Sequence, residues 1–69
     1  MKKFDYKKLI EFREEMGLSQ NDLAYMCDIS SQAVKYWEEG ANVPNGEKLA
    51  RISEVLDKPI DNFYTEAPE

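Results

Sequence analysis

The chain has 69 residues, 42% of them hydrophobic and 33% charged, enough for one small domain around one core. It holds no histidine and one cysteine, which removes Cys–His and Ser–His nucleophile pairs, most zinc sites and any internal disulfide. Nine basic against fourteen acidic residues leave a net charge of −5, no apolar run approaches a membrane span, and nothing resembles a signal peptide.

Lys2, Lys3, Lys7 and Lys8 open the chain with only Asp5 among them. Residues 1–4 read as a basic arm, either a contact for a polyanion or simple solubilising charge. Leu9, Phe12 and Met16 then recur at i, i+3 and i+7, the spacing of an amphipathic first helix. Gly17 suits the left-handed stop after it. Ser19 is a candidate N-cap with Asp22 three residues on, a capping-box-like signal. The second helix turns Leu23, Ala24 and Cys27 inward. Asp28, Ile29 and Ser30 form a turn, and Ser30 caps a third helix that carries Ala33, Val34 and Trp37 inward and ends before Gly40.

Pro44 stops any helix running through "ANVPNG", and Asn45 can cap a fourth helix with Leu49, Ile52 and Leu56 on its inner face. Pro59 marks the next stop. "PIDNFY" has room for one last turn with Ile60 and Phe63 packed inward, and 65–69 are expected to fray. No alternating strand run is visible. The expected class is all-α, five short helices in one domain spanning 1–69, with no separate effector domain.

Few residues here could do chemistry. The three glycines stand apart at 17, 40 and 46, so no phosphate loop exists. Glu14–Glu15 and Glu38–Glu39 are carboxylate pairs, but a chain this short cannot bury a cleft around them. The expectation is no enzyme, no cofactor, no metal, no membrane and no small-molecule substrate. A reducing, cytoplasmic setting fits the lone cysteine.

Two charges break the helical pattern. Arg13 lies four residues after Leu9, on the inner side of helix one, and Glu38 lies four after Val34, on the inner side of helix three. A lone charge facing a core is costly and a paired one is tolerated. Either the two meet, or Arg13 snorkels at the core edge while Glu38 sits on the rim.

The stretch "FREEMGLSQNDLAYMCDISSQAVKYWEEG" resembles the helix-turn-helix of the Cro/cI-type repressors, the xenobiotic response element family. The likeness runs from about Leu9 to Phe63. Its motifs are R-x-x-x-G-L-S-Q with L-A, then I-S-x-x-x-V and W-E-x-G at fixed spacing. The resemblance implies a lambda-repressor-like fold and an Arg13–Glu38 ion pair between helices one and three. It also implies that helix three enters the DNA major groove. Ser31, Gln32, Lys35 and Tyr36 then stand at the base-reading positions. Their chemistry fits: a Gln amide can pair with adenine N6 and N7, and Lys35 can reach guanine or a phosphate. Tyr36 offers a ring edge for a thymine methyl and a hydroxyl for a phosphate or base. Gln20, Ser30 and Asn42 correspond to phosphate-binding positions. Without the resemblance, the same face reads as an ordinary solvated surface.

The sequence departs from the family at three places. Asp28 stands where the turn usually carries Gly, and Asp57 replaces a common Gly after helix four; both are expected to adopt the left-handed region under modest strain. After helix three come Glu39, Ala41, Asn42 and Val43, with none of the usual cations. The expected partners are a double-stranded DNA operator and a second copy of the chain, with Ile60, Phe63 and Tyr64 supplying part of the dimer contact. The expected function is a transcriptional regulator, a repressor. The alternative is a protein-interaction module of anti-repressor or antitoxin-like kind, favoured by the acidic charge.

Overall fold

Each helix begins and ends where a neighbouring side chain or a left-handed residue satisfies its free backbone groups. In chain order the computed structural model, which describes residues 1–66, shows β1 (Lys2–Phe4), α1 (Tyr6–Glu15), α2 (Gln20–Cys27) and α3 (Ser31–Glu38). These are followed by α4 (Gly46–Leu56), a 3-10 turn (Ile60–Phe63) and β2 (Tyr64–Glu66). The Asp5 carboxylate accepts from the Lys7 N–H at 3.0 Å and caps α1. Gly17, at φ 69, turns the chain out of it. At the start of α2 the Ser19 hydroxyl accepts from the Asp22 N–H at 2.9 Å, and the Asp22 carboxylate accepts from the Ser19 N–H at 3.0 Å. That backbone bond holds the Asp22 carboxyl below the usual carboxylate range. Ser30 and Asn45 cap α3 and α4 in the same manner, at 3.1 and 2.9 Å.

Asp28 and Asp57 close α2 and α4 in the left-handed region, at φ 57 and 54. For an L-residue that conformation costs about 1–2 kcal/mol, less for Asp, whose short side chain bonds locally. Gly40, at φ 76, ends the α3 segment under the Tyr6 ring. A Cβ there would stand 3.2 Å from Tyr6 Cε1, so both the conformation and the space call for glycine.

The inner faces meet in one core. Leu9 and Phe12 of α1, Leu23, Ala24 and Cys27 of α2, and Val34 and Trp37 of α3 are buried together with Leu49, Ile52 and Leu56 of α4. Phe63 closes this core edge-on to Phe12, ring centroids 5.2 Å apart. Each fully buried Leu, Ile or Phe contributes about 1.5–3 kcal/mol by leaving water. Burial pushes the Cys27 thiol up, which keeps it a packing group rather than a nucleophile.

Several expectations are corrected. The described residues hold four α-helices, not five, because the residues after Pro59 make only a four-residue 3-10 turn before Tyr64 returns to extended backbone. The helical class holds, with one short ribbon added to it that was not expected. β1 and β2 pair antiparallel, Lys2 opposite Glu66, Lys3 opposite Thr65 and Phe4 opposite Tyr64. The segment read as a free basic arm is thus a strand, and Thr65 and Glu66, read as fraying, are its partner; residues 67–69 of that tail lie outside the described residues. Met16 is 47% exposed because it falls on the cap, past the last inward turn of α1. Ile60 is 40% exposed, since the short turn brings one side chain into the core and Phe63 takes that place.

Candidate nucleic-acid interface

α3 has two unlike faces. Val34, Trp37 and Glu38 are buried, while Ser31, Gln32, Lys35 and Tyr36 are all exposed. The outward residues fall into two i, i+4 pairs, Ser31 with Lys35 and Gln32 with Tyr36, which helical geometry places side by side. Gln32 and Tyr36 do meet: the Gln32 amide donates to the Tyr36 hydroxyl at 2.8 Å.

The buried side of α3 is held by a polar joint. Arg13 grips Glu38 with two parallel bonds, Nε to Oε2 at 2.7 Å and Nη2 to Oε1 at 2.9 Å. Its remaining arm donates from Nη1 to the Leu18 carbonyl at 2.7 Å. Glu38 is 7% exposed, so this pair sits in low dielectric, and its hydrogen bond raises the Arg13 guanidinium above its ordinary value. Gln20 joins the same group, donating from Nε2 to Glu38 Oε1 at 3.0 Å. α1 and α2 therefore converge on one carboxylate of α3, and the loop after α1 is tied in through Arg13. No buried side-chain polar atom among the described residues lacks a partner.

Gln20 thus stands apart from the surface set. The position expected to meet a phosphate has its amide turned inward on Glu38, with one N–H and the carbonyl still open. Asn42 lies where expected, exposed in the loop after α3. With Ser30, Gln32, Tyr36, Asn45 and Lys48 it lines an open groove of about 610 Å³ between α3 and the start of α4. Among the described residues Lys48 is the one charged residue along that groove, and no carboxylate lines it. In a chain of net charge −5, this is a local reversal of sign. Lys48 was not anticipated from sequence. The loop after α3 has no cation of its own, and the cation comes from the first turn of the next helix, where a cap at Asn45 was the available signal.

A second cleft, of about 540 Å³, adjoins the same loop and is lined by Lys3, Lys7, Asn42 and Val43 as well as Asp5 and Glu66. Two of the four N-terminal lysines therefore lie beside Asn42. Lys8 is instead engaged with Glu11 at 3.5 Å.

Two short helices joined by a three-residue turn, the second with a buried anchor and a polar outer face, make a helix-turn-helix. Residues 9–63 match the helix-turn-helix family, and the chain belongs to it, as a Cro/cI-type member with a lambda-repressor-like fold. It is 38% identical over 58 residues to a putative HTH-type transcriptional regulatory protein of Pyrococcus horikoshii, covering 84% of this chain and 18% of that protein. It is 34% identical over 59 residues to the HTH-type transcriptional activator BcrR of Enterococcus faecalis, covering 86% of this chain and 29% of BcrR. The chain thus spans less than a third of either relative. Among solved structures it is similar to the P22 c2 repressor in complex with a synthetic operator, at 26% identity and a TM-score of 0.83, covering 88% of this chain and 92% of that one. The family is one of transcriptional regulators rather than enzymes. No helix among the described residues is long and apolar enough to cross a membrane.

Proposed function

We propose that this chain binds double-stranded DNA in a sequence-specific manner, reads the major groove with α3, and acts as a homodimeric repressor. The observation that carries the reading is the pairing of a polar, exposed α3 face with a groove beside it that holds Lys48 and no carboxylate among the described residues. Bases would be met by Ser31, Gln32, Lys35 and Tyr36. The DNA backbone would be met by Ser30, Asn42 and Lys48, whose ammonium is the charge the loop otherwise lacks. Gln20 would reach a phosphate through its remaining N–H while Glu38 holds the other. The likeness to an operator-bound repressor supports this assignment.

One α3 reads only a few base pairs, and dimers of this motif span half-sites about 34–36 Å apart. Phe63 is buried in the core and is unavailable to a dimer; Ile60 and Tyr64 keep exposed surface. The test is a gel shift with genomic fragments at low and then physiological salt, with sedimentation to count protomers. A specific band that survives unlabelled competitor, with two protomers per operator, is expected. Loss of every band at physiological salt rejects the reading.

A second reading has its own support. The net charge of −5 opposes DNA, and Tyr25, 88% exposed on α2, is an aromatic side chain that neither core nor groove uses. A protein-interaction module of anti-repressor or antitoxin-like kind would keep the fold and bind through such a surface.

A further inference from the structure

We infer that Tyr36 is a positioning residue for Gln32, and that the two form one reading unit rather than two independent base contacts. The inference rests on the reading of α3 as the DNA-facing helix. A free Gln side chain on a helix surface samples many rotamers and loses up to about 2 kcal/mol of entropy when it is ordered. Here the amide is already tethered, Nε2 to the Tyr36 hydroxyl at 2.8 Å, before any partner arrives. Both residues are exposed, and the core needs neither.

The bond also decides what the pair can offer. Donating one N–H to Tyr36 leaves Gln32 with one N–H and its carbonyl, the donor–acceptor pair that adenine N7 and N6 require. The Tyr36 oxygen has accepted, so its own O–H stays free to donate. The outward edge then runs acceptor, donor, donor from Gln32 Oε1 through Nε2 to the hydroxyl. Adenine takes the first two. The third suits an acceptor on the next step: thymine O4, guanine O6 or N7, or a phosphate oxygen. Turning the amide over would use the hydroxyl proton on Gln32 Oε1 and forfeit that last donor. The free O–H therefore favours one amide orientation whenever such an acceptor is next.

The test compares wild type with Gln32→Ala, Tyr36→Phe and the double variant in selection from a pool of randomised duplexes, read by sequencing. Wild type is expected to enrich adenine at one position of each half-site, by roughly 5- to 150-fold over the other bases. Gln32→Ala should abolish that preference. Tyr36→Phe keeps the ring and lacks only the hydroxyl, and should reduce preference at the same adenine by roughly 2- to 12-fold. The double variant should be no worse there than Gln32→Ala alone. A second measurement needs no DNA: in the free protein, Tyr36→Phe should shift the Gln32 side-chain NH₂ resonances and increase their motion by nitrogen-15 relaxation. A Tyr36→Phe pool with the wild-type adenine preference overturns the inference while leaving DNA reading intact. So does a change confined to a neighbouring base, which would make Tyr36 a separate reader. Unchanged Gln32 amide signals overturn it whatever the DNA result. A wild-type pool with no enrichment overturns the DNA reading and this inference with it.

Discussion

On the inner side of α3 the Glu38 carboxylate takes three donors, two from Arg13 and one from Gln20, almost out of reach of water; on the outer side Gln32 and Tyr36 share one hydrogen bond in full contact with it. The two sites use similar chemistry in different dielectrics. Removing a partner from the inner site strands a buried charge, whereas removing one from the outer site lets water take its place. The inner face therefore fixes where the helix sits. The outer face can change its side chains, and with them its preferred ligand, without moving the helix.

The largest expected effect is on the inner side. Arg13→Ala should lower stability by about 3–5 kcal/mol in chemical denaturation, because Glu38 is left charged and buried. Replacing both residues by apolar ones should cost much less, and a double-mutant cycle reads the coupling. Additive costs would break the contrast between the faces. On the outer side, Gln32→Ala should leave the unfolding free energy within about 0.5 kcal/mol of wild type. It should nonetheless cost about 1–3 kcal/mol of binding to a selected duplex. A large loss of stability in that variant would show that the outer face is structural after all.

Smaller effects sharpen the picture. Lys48→Ala should weaken binding to all duplexes alike and lower the slope of log affinity against log salt by about one. Lys35→Ala should do the same if Lys35 meets phosphate, and should instead act on one base pair if it reads guanine. A titration of each variant across a salt series separates these outcomes. Least of all, Asp28→Gly should raise stability by about 0.5–1 kcal/mol by relieving the left-handed aspartate. Its DNA binding should not change, since the turn already holds the geometry that glycine would adopt.

What could be seen in the sequence was what local rules write down. Ser19, Ser30 and Asn45 were legible as caps because each precedes a helix whose first amides need an acceptor. The left-handed Asp28 and Asp57 were expected from family likeness, because relatives usually carry glycine at those two places. Arg13 and Glu38 were visible as charges on apolar faces, although their meeting came from family likeness and not from spacing. The β-ribbon left no trace, because three-residue strands are too short to show alternation and their partners stand at opposite ends of the chain. Gln20 was placed on the correct helix turn, but no local rule says whether an amide points to solvent or to a carboxylate on another helix. Lys48 escaped for the same reason: its groove exists only once α3 and α4 are side by side.

The ribbon gives the molecule a mechanical property as well. Lys2 is paired with Glu66 at the outermost rung, and the Met1 ammonium lies 3.2 Å from the Glu66 carboxylate. Both ends of the described chain therefore leave from one corner. Tension applied through them does not shear the ribbon along its length; it peels the rungs one at a time, as a zipper opens, starting at Lys2–Glu66 and moving to Lys3–Thr65. The last rung, Phe4–Tyr64, is backed by an edge-on aromatic contact at 6.1 Å and by the bond from the Asp5 N–H to the Phe63 carbonyl. A pull from a tether or a fused neighbour is spent on three weak steps before any load reaches the helices.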